Sequence, residues 1–91
     1  MTTKHTPGPW THHPEDNIIL DASGRRLIEW QARSVSVSVE ERDANARLIA
    51  AAPELLEALE VVLHLCTVIG APDGPALDMA RDALAKARGE T

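Results

Sequence analysis

A proline set inside an otherwise continuous helical stretch constrains this chain more than any other feature. From Asp43 to Leu65 the sequence runs Asp-Ala-Asn-Ala-Arg-Leu-Ile-Ala-Ala-Ala-Pro-Glu-Leu-Leu-Glu-Ala-Leu-Glu-Val-Val-Leu-His-Leu, rich in good helix formers, with Pro53 the one break. Proline donates no backbone hydrogen bond and its ring collides with the preceding helical turn, yet it suits the first turn of a helix. The stretch therefore divides into two helices joined at a bend at Ala51 and Ala52, with Pro53 and Glu54 opening the second.

In the first helix, opened by Glu40, Glu41 and Asp43 at the positive end of the dipole, Leu48, Ile49 and Ala52 form the expected apolar stripe. Asn45 and Arg47 project elsewhere. In the second, Leu55, Leu59, Val62 and Cys66 recur at spacings of four, three and four, and Leu56, Leu63 and Val68 widen that face. With Val61, Leu65 and Ile69 added, its last turns are apolar nearly all round. Such a helix is buried on more than one side, either between a sheet and a third helix or against another copy of the chain through Leu55, Leu59, Val62, Leu63 and Cys66. After the breaker from Gly70 to Pro75, Leu77, Ala80, Leu84 and Ala87 mark a third helix, and residues 89–91 are expected to fray.

The N-terminal half reads as strand and turn. Two prolines flanking Gly8 predict an extended arm over residues 1–9 that delivers Trp10, an anchor for one end of the core or a surface for stacking a ligand. A short strand from Trp10 to His13 leads through a turn at residues 14–17 to an apolar run at Ile18-Ile19-Leu20. Asp21-Ala22-Ser23-Gly24 then supplies a hairpin turn, with Gly24 at the position of positive φ, before the chain returns through Arg25 to Trp30. Strict alternation places Ile28 and Trp30 on one face of that strand, Leu27 and Glu29 on the other. Ser-Val-Ser-Val-Ser-Val over residues 34–39 predicts another strand with one wet face. The fold class is α+β, an antiparallel meander of three to four strands followed by two to three helices, in a single domain over residues 10–88.

Composition limits what such a domain does. At 91 residues a chain buries only a little over half of its unfolded surface, so its stability is small unless copies associate. The net charge of −5 argues against general binding of duplex nucleic acid, which needs Lys and Arg to neutralise phosphate. Cys66 has no partner for a disulfide, and the apolar run from 48 to 69 is interrupted by Pro53, Glu54, Glu57, Glu60 and His64, which argues against a membrane span. No leader of the secretory kind is read at the N-terminus, so a cytoplasmic location is expected. His5, His12, His13 and His64 lack zinc-ligand spacing, no serine or cysteine has an evident activating base, and the glycines make no phosphate loop. No metal, cofactor or catalytic residue is therefore expected.

The remaining candidates are polar. Five of the seven arginines fall in the middle segment, and Arg25, Arg26, Arg33, Arg42 and Arg47, with Asn45, are candidate ligand-binding residues, Trp10 joining them if it stacks. Guanidinium forks match phosphate and carboxylate. Either they converge on an anion or they are surface charges offset by Glu29, Glu40, Glu41 and Asp43.

His5-Thr6-Pro7-Gly8-Pro9-Trp10, the hairpin Asp21-Ala22-Ser23-Gly24-Arg25 and the helical block from Asp43 to Leu59 resemble a class of small bacteriophage and prophage accessory proteins, over about residues 5–63. The resemblance implies a phage-encoded, non-catalytic binding protein of the bacterial cytoplasm, similar in style to inhibitors of host defence. It suggests two mechanisms of defence inhibition and a third, non-defensive role. A homo-oligomer would sequester a nucleotide immune signal, of cyclic nucleotide or ADP-ribose type; alternatively the chain would block a host defence protein by direct contact, or serve as a structural or regulatory phage module.

Overall fold

In a computed structural model, which describes residues 4–30 and 37–90, the chain runs through β1 (Thr11–His13), β2 (Ile18–Leu20), β3 (Arg26–Glu29), α1 (Val39–Ala50), α2 (Ala52–Val68) and α3 (Pro75–Ala87). The arrangement is α+β, a three-stranded antiparallel sheet followed by three helices. Two compact units divide within the first turn of α2, Met1–Glu54 and Leu55–Thr91.

The first unit is built on the sheet, in the order β1-β2-β3. Asn17 closes the turn before β2 at φ 56°, a conformation asparagine tolerates better than most side chains, and Asp16 N–H donates to the His13 carbonyl at 3.2 Å. Gly24 takes φ 88° as the hairpin demands, and Asp21 N–H donates to the Arg25 carbonyl at 2.9 Å. On the central strand, Ile18 and Ile19 are neighbours and so face opposite sides, yet both are buried, Ile19 completely. Both faces of the central strand therefore carry a buried isoleucine. In β3 a bulge sets Ile28 opposite Ile19 and Arg26 opposite Leu20, leaving Leu27 extra. The strict two-residue period fails for that reason, and Leu27 and Ile28, adjacent in sequence, are both half-buried.

The Ser-Val alternation also misleads. Residues 31–36, including Arg33 and half of the strand expected over 34–39, lie outside the described residues. The last residues of the alternation are a helix entry: Ser38 is extended (φ −70°, ψ 163°), its Oγ accepts from Glu41 N–H at 3.1 Å, and Val39 is already helical. An accepted N–H three residues on satisfies a donor that the first helical turn leaves without a partner. In α1 the buried residue is Ala46, 1% exposed, on the helix that packs against β1. Leu48 is 64% exposed and does not belong to the buried stripe expected of it; half-buried Arg42, Asp43, Ile49 and Ala50 flank Ala46 instead. Ala51 closes α1 by donating to the Arg47 carbonyl at 3.1 Å, and Pro53 lies in the first turn of α2, as its chemistry requires.

The segment read as an arm packs within the same unit. Trp10 Nε1 donates to the Thr6 carbonyl at 3.2 Å, and a Cβ on Gly8 would stand 2.8 Å from Pro53 Cβ. Only a residue without a side chain fits this close approach.

In the second unit, Gly70 at φ 72° ends α2, with Ala71 N–H donating to the Cys66 carbonyl at 2.9 Å, and Pro75 opens α3. After α3, Gly89 takes φ 74° and Glu90 N–H donates to the Ala85 carbonyl at 2.8 Å, a hydrogen-bonded turn. An ion pair of 2.6 Å between Arg88 Nη2 and Glu60 Oε2 ties the end of α3 back to α2. Leu84 is the buried residue of this unit; Leu77 and Ala80 are half-buried beside it, as the third-helix stripe predicts, whereas Ala87 is exposed.

Candidate functional site

Most arginines of the middle segment have a local acid. Asp21 is the most elaborate case. Its Oδ1 accepts from Ser23 N–H (2.9 Å), Ser23 Oγ (2.8 Å) and Arg25 N–H (2.8 Å), while Oδ2 accepts from Arg25 Nε at 2.9 Å. The Arg25 backbone N–H, then the Ser23 hydroxyl, hold this nearly buried carboxyl down to about 2, against the opposing cost of desolvation, with the Arg25 side chain and the Ser23 N–H contributing less. Arg25 thereby has its Nε fixed while the rest of its guanidinium remains exposed. Sequence reading found only turn chemistry here; the signal was Asp followed by Ser at the second position, the pattern of a side chain that bonds the backbone two residues on.

Arg26 pairs with Glu29 at 3.6 Å along the exposed edge of β3. Arg42 is mostly shielded, its Nε makes no hydrogen bond, and Asp43 Oδ1 stands 3.9 Å away. Trp10 is half-buried, its N–H is taken by the Thr6 carbonyl, and its ring meets His5 edge-on at 6.3 Å. Arg81 and Arg88 pair with Asp73 and Glu60. Among the described residues, Arg47 is the arginine without an ion pair.

Asn45 and Arg47 are both exposed on α1 but only two residues apart, a separation that turns them to different sides of a helix. Between them lies Leu48, opposite buried Ala46, with Ala44, Glu40 and Glu41 on the same outward side. One copy of the chain thus does not aim Asn45 and Arg47 at a single small molecule. It presents instead a convex helical face: a leucine and an alanine at the centre, Arg47 and Glu40 along one border, Asn45 and Glu41 along the other.

The residues expected at a self-association surface separate into two sets. Leu59, Leu63 and Cys66, with Leu56, are half-buried, whereas Leu55 and Val62 are exposed. Among the described residues, no group of three or more His, Cys, Asp or Glu side chains is placed to hold a metal ion, and no helix is long and apolar enough to cross a membrane.

Over residues 1–91 the chain matches the model of a protein family described as Salmonella phage P22 protein Y8K6. The chain belongs to this phage family. Neither a curated protein nor a solved structure matches it. The match covers the entire sequence, beyond the residues 5–63 over which the resemblance was read.

Proposed function

We propose that this phage protein is a non-catalytic binder that acts inside the bacterial host by docking another protein on the outward face of α1. The exposure of Leu48 carries this reading: a large apolar side chain, 64% exposed, sits at the centre of a helical face bordered by Glu40, Glu41, Asn45 and Arg47. An apolar centre with a charged border is the anatomy of a protein-docking patch. Interference with a host defence complex is the role that such a stoichiometric binder would fill.

Affinity capture of tagged protein from infected host cells tests the proposal, comparing the unaltered chain with Leu48→Glu and with Glu40→Lys/Glu41→Lys. A host protein recovered in near-equal amount with the unaltered chain and lost with both variants is the expected result. Equal recovery with all three removes α1 as the docking face.

A second reading, sequestration of a nucleotide signal, draws its support from Arg47, exposed and without an ion pair among the described residues. Because Asn45 and Arg47 diverge on the helix, such a site would need groups from more than one copy. Nucleotide released from purified protein on denaturation, and lost in Arg47→Ala, is the outcome that this reading requires.

A further inference from the structure

Helix α2 carries a second apolar arc that its own unit leaves open. The half-buried residues Leu56, Leu59, Leu63 and Cys66 define one side, from which Glu60 reaches Arg88 of α3. Next to it run Leu55, Val61, Val62, Leu65, Val68 and Ile69, all between 52% and 75% exposed. Together with exposed Ala58, Leu55, Val62, Leu65 and Ile69 of this set recur at spacings of three, four, three and four, the seam of two helices packed side by side. Val61 and Val68 widen the arc to roughly 140° of the helix. From Leu55 to Ile69 no charged residue falls within it; Glu54, in line with Val61 and Val68, stands at its N-terminal end, and Glu57 and His64 lie on the remaining side.

We propose that this arc pairs with the same arc of a second copy, α2 against α2 in antiparallel orientation, forming a two-fold homodimer. Three observations select a second copy as the occupant. Between Leu55 and Ile69 the arc carries no charge, and an antiparallel pairing sets the two Glu54 side chains at opposite ends, so juxtaposing it with itself creates no like-charge contact. Its exposed residues offer at most roughly 600 Å² per copy, so that complete burial of both arcs reaches the lower end of the about 1,200–2,000 Å² that specific stable interfaces bury. A two-fold contact requires one patch complementary to itself, which the seam supplies when reversed. In a parallel pair Ala58 would meet Ala58 and leave a gap; reversed, it meets a larger residue from the other end of the seam. Of the residues that the sequence marks for self-association, Leu55 and Val62 belong to this seam, while Leu59, Leu63 and Cys66 lie on the half-buried side.

Sedimentation velocity on the full chain under reducing conditions, over about 1–100 μM, tests the proposal. The unaltered protein is expected to sediment as a dimer, and Leu65→Asp and Ile69→Asp, each keeping the helical circular dichroism of the parent, as monomers. A monomer throughout for the unaltered chain, or a dimer that survives both substitutions, overturns it. Orientation is read by adding a cysteine to a Cys66→Ala chain: Leu55→Cys at the end of the seam is expected not to cross-link to itself, and rapid disulfide formation there would overturn the antiparallel arrangement.

Discussion

Asp21 is a turn residue by position and a structural hub by its bonds. Both its oxygens are used, by Ser23 and Arg25, and the same bonds that organise the hairpin keep the carboxyl ionised. A carboxyl with an ordinary value of 3.8 that titrates at about 2 in the folded chain binds its proton less readily folded than unfolded. Its contribution to stability is thus complete above the unfolded value and is lost as pH falls through about 2. Thermal melts from pH 5 down to pH 2 should show a fall in Tm that Asp21→Asn, already less stable at neutral pH, displays much more weakly; parallel acid profiles for the two chains would refute the assignment. Gly8 makes a different demand, for space rather than charge. With a Cβ only 2.8 Å from Pro53, Gly8→Ala forces the N-terminal segment off the α1–α2 bend, and urea unfolding is expected to register a loss of about 1–3 kcal/mol, the usual range for overpacking.

At the level of elements, legibility tracked the strength of local chemistry. The hairpin at Gly24 and the break at Pro53 were readable because glycine and proline restrict the backbone in ways nothing nearby overrides, whereas Pro75, read as the end of the breaker, is the first residue of α3. The segment ending at Val39 was misread because period-two alternation is a pattern of side chains, whereas Ser38-Val39-Glu40-Glu41 also carries the Ser-x-x-Glu signature of a helix start, and it is the latter that Ser38 obeys. Ser38→Ala should therefore cost about 1 kcal/mol in chemical denaturation, with a matching loss of helical signal confined to the start of α1. The bulge at Leu27 and the burial of both Ile18 and Ile19 were not legible, since they depend on register and on what covers the sheet. Because Ile19 is wholly buried on the central strand, Ile19→Ala is expected to remove about 2–5 kcal/mol, enough to unfold much of the first unit at moderate urea.

At the scale of the whole molecule, the sequence identified the candidate residues without their arrangement. Clustering in sequence made Arg25, Arg26, Arg42 and Arg47 look like one site, but three of them have acids of their own, and helix geometry separates Arg47 from Asn45. The apolar excess of α2 was evident; that it splits into a half-buried and an open side depends on tertiary packing and was not. The proposed contact with other chains rests on the large apolar side chains that α1 and α2 of this phage-family chain leave outward, Leu48 above all. Titration calorimetry of the captured host protein against the unaltered chain and Leu48→Glu tests that claim most directly. The prediction is a saturable complex with one partner per copy, weakened at least tenfold (about 1.4 kcal/mol) by the substitution. Equal affinity of the two chains for that partner would contradict it.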